Sequence, residues 1–208
     1  MSLKITKSKI MIVEGRDEEL FFDAVLTRHL RIADVQLLGI GGKTKLTQNL
    51  KALANDSGFL GVATLAVIRD ADATPPDATT SAAESAFASI RGSLLSARLP
   101  CPVGHAEFCD GPPRVGVFVM PDGTTDGMLE TLCMRSVAAT PEWRCVQDYF
   151  ACLRGHGVIP GSQTKADSHC WLASRLKPDK RVGEAAQAGY WPFDSSEFSP
   201  LWDFLRQM

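Results

Sequence analysis

Glu14 and Gly15 stand where one apolar run ends, and Asp70 and Asp72 stand where another ends. The runs are Ile10-Met11-Ile12-Val13 and Leu65-Ala66-Val67-Ile68. In a parallel α/β sheet the C-terminal strand ends share one rim, and ligands bind outside it. Three carboxylates on such a rim repel one another unless a cation lies between them. All-oxygen donors suit Mg²⁺ or Mn²⁺, and Mg²⁺ bound in this way usually handles phosphates. The pattern predicts that Glu14, Asp70 and Asp72 converge on one cavity.

Each of these residues also has a plainer use. Glu14 could cap a helix, and Asp70 and Asp72 could form a solvated turn before Pro75-Pro76. Asp17 and Glu18 would sit in the first turn of a helix, where acids suit the helix dipole. Asp122 precedes Gly123 as a turn aspartate does, but it also ends a strand on the predicted rim. Gly41-Gly42-Lys43 lies between a strand and a helix. Glycines there can offer backbone N–H groups to a phosphate, with Lys43 beside them. The spacing is not that of a Walker loop, so no ATP site is assigned.

The elements that must position these residues follow from hydropathy. Strand and helix signals alternate over the first two-thirds of the chain, as in a parallel sheet with crossover helices. Strands are expected at 9–13, 35–40, 64–69 and 115–120. Helices are expected from about Asp17, from about Lys43 and over 81–95, the last with Ala83, Phe87, Ile90 and Leu94 inward. Right-handed crossovers favour strand order 2-1-3-4. The Pro-rich stretch from Leu99 to Pro113 reads as an irregular insertion with room for one short strand. A loop at 121–127 opens onto a helix with Leu129, Glu130 and Leu132. The remainder, 140–208, reads as a helical extension packed on the same core. Its helices begin at Thr140-Pro141, near Lys165 and at Ser199-Pro200. The first carries Trp143, Val146, Tyr149, Phe150 and Leu153; the second runs to about Leu176.

Composition excludes several classes. The chain has 208 residues, 45% of them hydrophobic, enough for an ordinary core. No apolar run reaches the ~18 residues of a membrane span, so no membrane partner is expected. Met1 to Lys7 is basic but lacks an apolar signal core, which favours the cytoplasm. Net charge is −2, not the footprint of a protein that coats nucleic acid, although a local basic groove is compatible with it. The six cysteines include no Cys-x-x-Cys pair and are read as free thiols. Cys101, His105 and Cys109 lack the paired spacing of a zinc site.

Ile12-Val13-Glu14-Gly15-Arg16-Asp17-Glu18, Gly41-Gly42-Lys43, Ile68-Arg69-Asp70-Ala71-Asp72, Met120-Pro121-Asp122-Gly123 and Gly127-Met128-Leu129-Glu130 together resemble the Toprim fold. They look most like a family of small stand-alone bacterial Toprim-like proteins, and the order is also similar to the Toprim part of the OLD nucleases. The Toprim resemblance covers about residues 8–135; only the smaller family matches the tail. It implies a Toprim-like, Rossmannoid α/β domain with a four-stranded parallel sheet and a helical C-terminal extension. It implies Glu14 as metal ligand or general base, Asp70 and Asp72 as metal ligands, and Glu18 and Glu130 completing a second metal position. Lys165 matches a lysine that some Toprim nucleases use to stabilise the transition state.

The resulting expectation is a Mg²⁺- or Mn²⁺-dependent nuclease acting on DNA or RNA. Topoisomerase and full primase activities do not fit, because their additional domains have no room here. Two alternatives stand beside it. One is a non-catalytic Toprim module binding nucleic acid, a separately encoded ATPase or a second copy of itself. The other is a small phosphatase or nucleotide-binding protein.

Overall fold

The computed structural model describes residues 4–75 and 77–208; Met1 to Leu3 of the basic N-terminus and Pro76 of the acidic turn lie outside the described residues. The chain order is β1 (Lys9–Val13), α1 (Arg16–Ala24), β2 (Val35–Gly39), α2 (Leu46–Ala54), β3 (Thr64–Asp70), α3 (Ala82–Ser96), β4 (Phe108–Cys109) and β5 (Arg114–Met120). Then follow α4 (Leu129–Ser136), α5 (Pro141–Gly155), α6 (Gln163–Ala173), α7 (Val182–Gln187) and α8 (Ser199–Leu205).

The five strands form one sheet of order β2-β1-β3-β5-β4. The first four are parallel in the predicted order, and β4, from the Pro-rich insertion, adds an antiparallel edge. The protein is therefore an α/β protein with a Rossmann-like, mostly parallel sheet flanked by helices and a helical C-terminus. Four parallel strands were expected, with room for one short strand in the insertion; β4 is that strand, two residues long. β3 and β5 are apolar almost throughout because both sheet faces are covered.

Side-chain alternation along the strands builds two cores. Ile10, Ile12, Leu65, Val67, Val117 and Val119 pack under α2 and α3. Met11, Val13, Ala66, Ile68, Phe118 and Met120 pack on the other face against α1, α4 and the C-terminal helices. The second cluster runs unbroken from the sheet into Trp171, Trp191 and Trp202, so the tail shares the core of the α/β layers. Each large apolar side chain buried there contributes roughly 1.5–3 kcal/mol.

Local signals set most boundaries. Ser81 and Glu84 form a capping box at the start of α3. Thr140 caps α5, accepting from the Trp143 N–H, with Pro141 in the first turn. Three details differ from expectation. Tyr149 is 51% exposed, because Val146 and Phe150 take the inner stripe of α5. Phe87 is only partly buried, beneath the Arg91 guanidinium. The helix expected to reach Leu176 ends at Ala173, and Leu176 is exposed.

One element was not anticipated. α7 is a six-residue helix that packs along α1. Gly183 makes this possible: a Cβ there would lie 2.2 Å from the carbonyl oxygen of Asp17. None of the helices formed by the described residues is long and apolar enough to cross a membrane.

Candidate functional site

The parallel register of β1 and β3 aligns Ile12 with Val67 and brings their C-terminal ends to one rim. Alternation then sends neighbouring side chains to different faces. Arg69 follows Leu65 and Val67 toward α3, where its Nη1 donates to Ser89 Oγ at 3.0 Å. Asp70 follows Ala66 and Ile68 toward the face covered by α1 and α4. Its Oδ1 accepts the Leu129 backbone N–H at 3.1 Å, tying the first turn of α4 to the strand end.

Asp70 opens into a pocket of about 240 Å³ with Glu18 from α1 and Glu130 from α4 on its walls. Burial raises the Asp70 carboxyl well above the usual range, and the charges of Glu18, Glu14 and Glu130 raise it further. Burial also raises Glu18, helped by Glu14 and Glu130. These acids are held together in the fold without an internal counter-charge strong enough to offset their crowding.

The first turn of α1 divides its acids by task. Glu19 Oε1 accepts the Gly39 N–H at 2.8 Å and fixes the end of β2. Its Oε2 pairs with Arg16 at 3.1 Å. Glu18 is the acid of this turn that the resemblance singled out, and burial raises its carboxyl, with the charges of Glu14 and Glu130 adding to it.

The three sequence-predicted acids share the rim but not one cavity. Glu14 continues the face of Ile10 and Ile12, so it meets Arg69, with Oε1 3.3 Å from Nε. Both atoms are buried and neither has a hydrogen-bond partner among the described residues. Burial raises the Glu14 carboxyl; Arg69 opposes this and Asp72 adds to it. The Glu14 charge is felt by Asp70 and Glu18, so it links the two groups. Asp72 pairs with Lys43 at 2.5 Å. Its backbone, at φ +68°, is pinned by a two-way bridge to Gly127, with N···O distances of 2.8 and 2.7 Å. Such a conformation persists where the surroundings impose it.

Other candidates fall differently. Asp122 is not available as a metal ligand. Its two oxygens accept from the Thr124 and Thr125 backbone amides, both threonine hydroxyls and Arg135 Nη1, the last at 2.6 Å. Burial alone would raise its carboxyl, but Arg135 and the threonine hydrogen bonds outweigh that and hold it far below the usual range. It shapes the loop whose far end carries Gly127. Gly41 and Gly42 adopt φ of +71° and +107°, which glycine allows. The Gly42 N–H donates to the Glu14 carbonyl at 2.9 Å and is not free for a phosphate; the loop instead delivers Lys43 to Asp72. His105 is structural: Nδ1 accepts the Val119 N–H at 3.0 Å and burial lowers its pKa.

The tail contributes more than the sequence suggested. Lys165 at the start of α6 lines the acidic pocket, and so does Arg181 just before α7. Arg175, Lys177, Lys180 and Arg181 form a basic run in the sequence. Arg175 pairs with Glu142 at 2.9 Å and stacks on Trp171, and Lys180 lies 4.0 Å from Glu184. Arg181 leaves that group because α7 carries it to α1, and the helix signal was the faint one of Glu184 accepting the Arg181 N–H. Arg69 was visible in the motif but not as a partner, which needs the strand register.

Among the described residues, no three histidine, cysteine, aspartate or glutamate side chains stand ready as a metal-holding group. The donor chemistry still fits a hard divalent cation in kind. The donors are all carboxylates, they crowd one another, and Glu14 Oε1 is buried without a hydrogen bond.

The family model for DUF3226, described as a protein of unknown function, matches residues 8–208. The chain belongs to the DUF3226 family. No curated protein matches it, and no solved structure does. The DUF3226 match spans the α/β layers and the C-terminal helices alike, so Lys165 and Arg181 fall in the same family segment as the carboxylates.

Proposed function

We propose that this DUF3226 protein is a cytoplasmic, Mg²⁺- or Mn²⁺-dependent phosphodiester hydrolase of Toprim-like architecture, a nuclease. The observation that carries the reading is the pocket of Glu18, Asp70 and Glu130. Burial raises the Asp70 and Glu18 carboxyls there, neighbouring acids add to it, and two cations from the tail share the walls. A carboxylate raised by burial and by specific neighbours in a cleft is a candidate functional group. The Toprim resemblance adds the expected order of Glu14, Asp70, Asp72 and Glu130.

Glu18, Asp70 and Glu130 are the residues that would hold a divalent ion, with Glu14 next to them. When bound, such an ion lowers the pKa of water and neutralises charge on a phosphoryl group. The chain's own groups do the rest. Glu14, paired with Arg69 on the same rim, would orient the attacking water and take its proton. Lys165 stands where charge grows on the phosphate. Water adds to phosphorus, the P–O bond to the leaving alcohol breaks, and that oxygen takes a proton from solvent.

A second reading has its own support. The Glu14–Arg69 and Asp72–Lys43 pairs satisfy two of the predicted metal ligands within the chain. A non-catalytic module that binds nucleic acid or a protein partner would have the same arrangement. Titrating Mg²⁺ and Mn²⁺ against circular DNA, single-stranded DNA and structured RNA separates the two. Metal-dependent cleavage supports the hydrolase, and binding without cleavage selects the module.

A further inference from the structure

Lys165 and Arg181 come from different tail elements, sixteen positions apart, yet both reach the acidic pocket. α6 packs on α4 and brings Lys165 to the pocket wall; α7 packs on α1 and brings Arg181 to the same pocket. The Gly183 contact with Asp17 leaves no space for slack, so α7 is seated on the turn that bears Glu18. In the same stretch Arg175 and Lys180 have acidic partners. Among the described residues, the side-chain nitrogens of Lys165 and Arg181 make no ion pair within 4.0 Å, although the acidic residues Asp17, Glu18, Asp70 and Glu130 line the same pocket. Two uncommitted cations facing a carboxylate cluster make a site for an anion that arrives with a cation.

The pocket is small. At ~30 Å³ per water its 240 Å³ holds about eight waters. That is below the roughly 300–1,000 Å³ of a pocket for a drug-sized ligand, and on the scale of one hydrated phosphate group. A duplex is stiff over ~150 base pairs and cannot bend one phosphate into such a recess at low cost. A single strand has no partner strand holding its backbone in line and can turn one phosphate inward.

Resting on the hydrolase reading, we propose that Arg181 and Lys165 grip the phosphate of a flexible single strand. The tail helices thereby make single-stranded nucleic acid the substrate class, and the interior of a duplex is excluded. The test is fluorescence anisotropy with a labelled, phosphorothioate-linked single strand and with the same strand in a duplex, in Mg²⁺. The single strand should bind at least ~10-fold more tightly. Arg181→Gln and Lys165→Gln should each weaken it about tenfold, the scale of one charge-assisted contact. Each should also flatten the dependence of log K on log salt by about 0.7, and Arg181→Lys should restore most of that slope. Both side chains are exposed, so the variants should keep the wild-type circular dichroism.

Equal binding of strand and duplex, no binding of either, or an unchanged salt slope in both variants overturns the proposal. The two readings fail separately. Single-strand binding without cleavage of an ordinary strand in Mg²⁺ or Mn²⁺ removes the hydrolase and keeps the substrate class. Equal cleavage of strand and duplex interior keeps the hydrolase and removes the substrate class.

Discussion

The strand-end rim has two sides that treat their acids in opposite ways. On the side of α2 and α3, Glu14 meets Arg69 and Asp72 meets Lys43, so each carboxylate has a cation from its own chain. On the side of α1 and α4, Asp70, Glu18 and Glu130 face one another, and the nearby cations stand off. Folding alone accounts for the first side, because buried charges need partners. It does not account for the second, where burial first and crowding next raise the Asp70 and Glu18 carboxyls at a cost to the metal-free protein. Charge left unbalanced by the fold is charge available to a ligand.

Glu14 belongs to both sides, and replacing it should have the largest effect. Glu14→Gln keeps the side-chain shape and removes the charge. Metal-dependent cleavage should fall by at least ~10²-fold, the scale of losing a positioned acid–base group. The change also strips Arg69 of its counter-charge, so rates are compared at a temperature where circular dichroism shows both proteins folded. Cleavage within a factor of three of wild type would remove Glu14 from the chemistry and confine it to the neutralised side.

Arg69→Gln tests the neutralised side for stability. The pair is largely covered, with side-chain exposures of 11% and 19%. Breaking it leaves a buried carboxylate unpaired, and urea unfolding should show a loss of about 3 kcal/mol. Glu14→Gln added to Arg69→Gln should recover at least ~1 kcal/mol, since the two are coupled. Strict additivity would show that the ion pair carries no stability.

The two sides also explain what could be read in advance. The sheet was legible because β1, β3 and β5 are apolar runs with crossover helices between them, and because handedness leaves few strand orders. Glu14, Asp70 and Asp72 were legible as rim residues for the same reason. Their division was not: it depends on the parity of Arg69 and Asp70 along β3 and on the left-handed turn at Asp72. Asp122 was misassigned because its partners, Thr124, Thr125 and Arg135, form an ordinary turn and latch that only geometry reveals. Arg181 was missed because α7 is short and contains a glycine, and sequence period says little over six residues.

The crowded side makes a pH prediction. Asp70 has a raised pKa in the fold, so the folded state binds a proton that the unfolded chain releases. Its protonation favours the fold at low pH, and that contribution is lost as pH rises through the raised value. Asp70→Asn cannot lose it. Without divalent ions, the melting-temperature difference, variant minus wild type, should grow from pH 5 to pH 8. At least ~2 °C is expected, as about 1 kcal/mol gives in a chain of this size. His105 is buried with a lowered pKa and pushes stability the other way below its ordinary value of 6.5. It is common to both proteins and cancels in the difference. Asp122 is held low, so its contribution changes only below the ordinary aspartate value of 3.8. A difference that shrank with pH would show that the fold does not raise the Asp70 carboxyl.

Asp72→Asn should have the smallest effect, and its value lies in the contrast with Asp70→Asn. Asparagine tolerates the left-handed backbone at 72 as well as aspartate does, so the bridge to Gly127 should survive. What is lost is an ion pair whose side chains are 49% and 38% exposed, and exposed pairs contribute ~0–1 kcal/mol. The repulsion relieved is also small, because Lys43 already offsets the charge that Asp72 presents to Glu14. Urea unfolding at pH 8 should therefore place Asp72→Asn within about 0.5 kcal/mol of wild type, while Asp70→Asn is stabilised. If Asp72→Asn were stabilised as much as Asp70→Asn, Asp72 would belong to the crowded group. The Lys43 contact would then not hold in solution, and the rim would carry one acidic cluster instead of two unlike sides.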